Sequence, residues 1–181
     1  MKRRLFLSLL LLGTMLHAQG PLLEPNLVPE FERSQDGTFS KMNFSIPLDD
    51  ISKSGLNFQK FEKKPLLLMY VSATCGHCHH AYPKVSKLAS ESKAKGLEMV
   101  VIATSFSKVD DLIDMKDDLK IKEPLFHDKQ KKFGELYGLG SVPMIVLVNQ
   151  QGHYIRYRSF TANVEQQIRA ELSRWFASSG K

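Results

Sequence analysis

The amino-acid sequence predicts an α/β domain: a central mixed β-sheet flanked by helices, with an extra N-terminal segment and a helical insert. Three observations carry this. Leu66–Val71, Leu97–Thr104 and Met144–Val148 are short apolar runs of strand length, the pattern of strands buried on both faces. Segments with helical spacing separate the first run from the second and the second from the third. Late in the chain Gln150-Gln151-Gly152 divides two strand-like runs, as the turn of a hairpin does.

In chain order, residues 1–18 read as a secretory signal. Lys2-Arg3-Arg4 is a positive start, Leu5–Leu12 is apolar except for Ser8, and Leu16-His17-Ala18 ends a plausible cleavage region. The apolar stretch Leu5–Leu16 has 12 residues, short of the roughly 18–20 that span a bilayer as a helix. An uncleaved anchor is the alternative, and only that would give stable membrane insertion. No cysteine lies there to carry a lipid. Residues 19–37 are Pro-rich and acidic and read as a loose lead-in to a domain over 38–181.

Within that domain Leu66–Val71 is the first strand and Ser72-Ala73-Thr74 a turn. Cys75 then opens a helix through Ala81, Val85 and Leu88 towards Lys95-Gly96, with Pro83 expected to kink it. A strand follows over Leu97–Thr104. Helices are expected over Asp110–Leu119 and Asp128–Tyr137, with Glu123-Pro124-Leu125-Phe126 as an extended link. Met144–Val148 and Tyr154–Arg158 form the hairpin, and Val164, Ile168, Leu172, Trp175 and Phe176 mark a closing helix.

Composition excludes several classes. The 181 residues are 43% hydrophobic and 24% charged, which rules out collagen-like, mucin-like and wholly disordered chains. The formal charge of +6 overstates the basic character. Taking Lys2, Arg3 and Arg4 from the 25 basic residues leaves 22 against 19 acidic, about +3. The remaining cations are scattered among acids, so no nucleic-acid partner is expected.

Cysteine usage is the most specific signal. The chain has two cysteines, Cys75 and Cys78, both within Cys75-Gly76-His77-Cys78. A bridge between them would close a loop of only two intervening residues and restrict the unfolded chain very little. An exported protein that keeps only such a pair is better read as carrying a redox-active dithiol.

Val71-Ser72-Ala73-Thr74-Cys75-Gly76-His77-Cys78, with Pro83 five residues past the second cysteine, resembles the active-site strand and helix of the thioredoxin superfamily. Tyr137-Gly138-Leu139-Gly140-Ser141-Val142-Pro143, followed by an apolar strand, resembles that family's cis-proline segment. With the insert between Thr104 and Phe126 and the N-terminal signal, the chain looks like the extracytoplasmic TlpA/ResA-like, cytochrome c maturation branch, over roughly residues 40 to 177. Two positions depart from the family. Thr74 stands where Trp usually precedes the first cysteine. Met69 stands where cytoplasmic thioredoxins carry a buried Asp.

The resemblance implies a thioredoxin fold and a periplasmic thiol:disulfide oxidoreductase. It acts on protein thiols and disulfides and works with a membrane or soluble redox partner. No cofactor or metal is expected. Cys75 at a helix N-terminus is the attacking thiolate, stabilised by the dipole and free N–H groups, and Cys78, one turn in, is the resolving thiol. Gly76 keeps the approach open and His77 tunes the couple. Thr74, Val142 and Pro143 would face substrate, with the backbone of Val142 pairing to an extended segment. The direction of flow stays open: the family implies a reductant, whereas His77 between the cysteines resembles the more oxidising isomerase and DsbA-type sites.

Other readings attach to the same residues. Cys75-Gly76-His77-Cys78-His79 matches the C-x-x-C-H pattern of covalent haem attachment, although it follows a buried strand. Cys75, Cys78, His77, His79 and His80 also offer soft-metal ligands, as a metal chaperone would. A peroxidase of the same fold would not need so close a resolving partner.

Overall fold

The computed structural model describes residues 31–34 and 38–178. The segment read as a signal and most of the lead-in lie outside the described residues. The elements are β1 (Asp49–Asp50), β2 (Leu66–Val71), α1 (Gly76–Ser92), β3 (Glu98–Ala103), α2 (Val109–Asp118), β4 (Leu125–His127), α3 (Lys132–Tyr137), β5 (Met144–Val148), β6 (Tyr154–Arg158) and α4 (Ala162–Ser178). They build one mixed sheet in the order β1-β4-β3-β2-β5-β6. β2 runs parallel to β3 and β3 to β4, while β5 is antiparallel to both β2 and β6. This is the thioredoxin fold that the sequence resembles.

All six residues of β2 are buried, because both faces of the central strand are covered. Alternation then divides its side chains. Leu67, Met69 and Val71 pack with Val85, Leu88, Leu112 and Ile168 under α1, α2 and α4. Leu66, Leu68 and Tyr70 pack on the other face with Phe58, Phe61, Phe133 and Tyr137. Met69, at the position of the missing acid, is fully buried apolar core.

Three elements differ from the sequence reading. The link at 123–126 is in part a strand: Leu125–His127 pairs in register with Val101, Ile102 and Ala103, and β1 adds to its outer edge. Three residues are too few to show a period of two. The helix expected from Asp128 starts at Lys132. Asp128 is fully buried, and its carboxylate accepts from Phe133 N–H at 3.1 Å, Gly134 N–H at 2.8 Å and the Tyr70 hydroxyl at 3.0 Å. It therefore ties the start of α3 to β2 from outside the helix. A Cβ on Gly134 would lie 2.6 Å from the Tyr70 oxygen, so this close approach requires glycine. α1 continues through Pro83, which deprives the His79 carbonyl of its helical donor, and ends at Ser92, short of Lys95.

The described part of the lead-in is docked. Glu32 N–H donates to Tyr154 O at 2.9 Å, its carboxylate pairs with Arg156 at 3.0 Å, and the Phe31 ring stacks on Trp175 with centroids 6.0 Å apart.

Candidate active site

The reactive segment lies where β2 ends. Beyond Val71 the chain turns through Ser72–Thr74, and Cys75 is the N-cap of α1, with extended φ −86° and ψ 103°. The turn is pinned at several points. Cys75 N–H donates to Ser72 O at 3.1 Å, Ala73 N–H donates to Ser107 Oγ at 3.0 Å, and the His79 ring nitrogen Nε2 sits 2.7 Å from Ala73 O. Cys78 N–H, at the opening turn of the helix, is shared between Cys75 O at 2.9 Å and the Cys75 sulfur at 3.2 Å.

The facing segment comes from α3. Gly138–Ser141 leads to Val142–Pro143, joined by a cis peptide bond. Gly140 takes φ +74°, a left-handed conformation that suits glycine. Tyr137 anchors the segment's start: its hydroxyl accepts from Asn43 N–H at 2.7 Å, and its carbonyl accepts from Arg156 at 3.0 Å. Val142 O then lies 3.9 Å from Cys75 Sγ. Among the described residues, neither Val142 N–H nor its C=O enters a backbone hydrogen bond, which leaves an edge for an added strand.

The two sulfurs differ in environment. Cys75 is half-buried, whereas Cys78 is 1% exposed. Burial, and after it the neighbouring Cys75 sulfur, hold the Cys78 thiol well above an ordinary cysteine. Since burial is the larger cause, the barrier persists when Cys75 is tied up in a mixed disulfide. The resolving step should therefore accelerate about tenfold per pH unit between about pH 7 and 9. Single-turnover decay of a preformed Cys75 mixed disulfide measures it; a rate flat over that range would show that Cys78 is already ionised.

The other anticipated residues spread around this pair. An added Cβ on Gly76 would meet nothing within 4 Å, so the approach to Cys75 is open there. Thr74, His77 and His80 are exposed, and His77 makes no hydrogen bond to the Cys75 sulfur. The haem reading does not fit: Cys78 is closed off from solvent and His79 is engaged with the turn. Among the described residues, no group of three or more His, Cys, Asp or Glu is placed to share a metal ion.

Sequence reading missed the groups around this core. Two grooves flank Val142. One, of about 430 Å³, is lined by Tyr70, Ser72, Phe106 and Leu139. The other, of about 420 Å³, is lined by His77, His80, Lys84, Pro143, Arg158 and Phe160. A third, of about 580 Å³, opens further along α1 between Tyr82 and Glu123 and contains neither cysteine.

Glu123 packs against α1 one turn and more beyond Cys78. Its carboxylate accepts from the Tyr82 hydroxyl at 2.5 Å and the Ser86 hydroxyl at 2.7 Å. Burial pushes the carboxyl up, but these bonds more than offset it and hold the group below its ordinary value of 4.5. A depressed carboxylate adds stability that is present above the unfolded value and is lost as pH falls through the folded one. Glu123→Gln should thus lose stability at neutral pH and show a shallower decline on acidification. Urea unfolding at a series of pH values tests this, and parallel curves for both proteins would refute it.

Comparisons with known proteins give the family and the fold. The AhpC/TSA family model matches residues 40–158, about two thirds of the chain. The chain is 26% identical over 106 residues to a thiol-disulfide oxidoreductase ResA of Oceanobacillus iheyensis, covering 58% of this chain and 54% of that protein. It thus spans about half the length of that relative. To the ResA of Halalkalibacterium halodurans it is 21% identical over 155 residues, covering 86% of each. A thiol:disulfide interchange protein DsbE of Chlorobium tepidum superposes with a TM-score of 0.62 at 21% identity, over 75% of this chain and 99% of that one.

Proposed function

Because this chain belongs to the AhpC/TSA family, whose thioredoxin fold it carries, we propose that it is an exported thiol:disulfide oxidoreductase serving c-type cytochrome maturation or a related periplasmic thiol pathway. The observation that carries the activity is the placement of Cys75: at the helix start, half-exposed, 3.9 Å from the carbonyl of Val142, with Cys78 buried one turn behind. The Cys75 thiolate attacks one sulfur of a substrate disulfide and the other substrate sulfur leaves as a thiolate. Cys78 then loses its proton and attacks Cys75, releasing the second substrate thiol and leaving a Cys75–Cys78 disulfide. Two electrons pass to the substrate, and the reverse sequence oxidises a dithiol. The nearby resolving thiol supports exchange over the peroxidase reading.

Export rests on the signal-like residues 1–18, and among the described residues no helix is long and apolar enough to cross a membrane. Cell fractionation and haem staining of c-type cytochromes in cells lacking the protein test the pathway. The protein should be found outside the cytoplasm. Covalent haem should fall and be restored by the wild-type chain but not by Cys75→Ser. A cytoplasmic location with normal covalent haem would overturn the assignment.

A further inference from the structure

The two grooves that meet beside the dithiol differ in chemistry. The first carries Phe106 on its wall, 83% exposed, beside Leu139. Lys131 Nζ lies 5.5 Å from the centroid of that ring, and most of the remaining ring surface is open to an apolar side chain. The second takes His77, His80 and Lys84 from α1 and Arg158 from the end of β6, and no acidic residue lines it. Lys84 and Arg158 are exposed and have no ion-pair partner among the described residues, whereas Arg156 and Arg169 are both paired. Ser141 and Val142 line both grooves, so Val142 forms the ridge between them. A segment that pairs with the backbone of Val142, which makes no backbone–backbone hydrogen bond of its own, must therefore extend into both.

We propose that the substrate of this site is an extended protein segment whose reactive cysteine has acidic residues on one side and an apolar side chain on the other. This rests on the oxidoreductase reading above and narrows it. Charge complementarity selects the acidic flank: the cationic groove offers cations without counter-ions, so a basic flank is repelled and an acidic one is attracted. Phe106 and Leu139 select the apolar flank. The cysteine between them comes to lie over Cys75, because Val142 O is 3.9 Å from that sulfur. Glutathione disulfide is anionic but has no apolar flank, so it lacks the second of these contacts.

The test uses short peptides with a central cysteine held as a disulfide to thionitrobenzoate, and Cys78→Ser protein so that only the first exchange occurs. Attack by Cys75 on the peptide sulfur forms the mixed disulfide and releases the coloured thionitrobenzoate anion. Flanks are acidic–apolar, apolar–acidic and their basic counterparts. One acidic orientation should react roughly tenfold faster than its basic counterpart, the advantage should shrink as salt is added, and it should reverse in Lys84→Glu/Arg158→Glu protein. Salt dependence in the unaltered groove keeps the test valid if the charge-reversed protein fails to fold. Equal rates for acidic and basic peptides would overturn the inference while leaving the oxidoreductase reading intact. So would an equal sensitivity of glutathione disulfide to the charge reversal, which would show that the groove reads a small anion. Failure of wild-type protein to react with any peptide, or with uncharged hydroxyethyl disulfide, would instead sink the oxidoreductase reading itself.

Discussion

Cys75→Ser should abolish turnover with protein disulfides, whereas Cys78→Ser should stop after one step and accumulate mixed disulfides. The asymmetry follows from the environments of the two sulfurs. Cys75 is partly exposed and its thiol donates to the Val142 carbonyl at 3.9 Å, so only it can reach an incoming disulfide. Cys78 is 1% exposed and reaches nothing but the sulfur in front of it. A serine hydroxyl at position 75 is a far weaker nucleophile at neutral pH, so activity should fall by at least about a thousandfold, to background. Insulin reduction measures the first variant, and non-reducing electrophoresis with mass spectrometry the second. Comparable trapping by Cys75→Ser through Cys78 would reverse the assigned roles.

Asp128→Ala should produce a large loss of stability at a site away from the dithiol. The carboxylate is fully buried and receives three hydrogen bonds, from Tyr70, Phe133 and Gly134. Truncation strands three donors in the core, at about 1–3 kcal/mol for each unsatisfied group. Even the low end of that range, about 3 kcal/mol in total, is a large share of the ~5–15 kcal/mol that holds a domain folded. Because α3 leads directly into Gly138–Pro143, the variant should also loosen the ridge opposite Cys75 and slow exchange. Urea unfolding gives the first effect, and stopped-flow oxidation at low temperature, where the variant remains folded, gives the second. A loss under about 1 kcal/mol would mean that water replaces the carboxylate.

What the sequence revealed depended on burial and spacing. β2, β5 and β6 were legible to the residue because each is long enough to show its pattern and the hairpin turn is explicit. β4 was hidden by its length of three residues, and its pairing comes from Val101–Ala103 rather than from its own pattern. Asp128 has the sequence position of a first helical residue; its burial depends on Tyr70, 58 positions away, which no local window reports. Met42, Phe44 and Ile46 carry a usable signal, since they alternate with exposed residues and form part of the core under α3. At the site, Cys75, Cys78, Val142 and Pro143 stood out as two motifs, and the fold brings them face to face. The flanking grooves did not stand out. Lys84 and Arg158 belong to different elements and become neighbours only once α1 packs beside the end of β6.

Equilibrating the protein in glutathione buffers of graded potential, quenching with acid and weighing the products tests most directly whether Cys75 and Cys78 form a reversible two-electron couple. One reversible transition between the dithiol and a Cys75–Cys78 disulfide is expected, seen as the loss of two hydrogens, and no such transition in Cys78→Ser. Protein that stays a dithiol across the whole series, or that ends as a stable glutathione adduct with Cys78 still free, would contradict it.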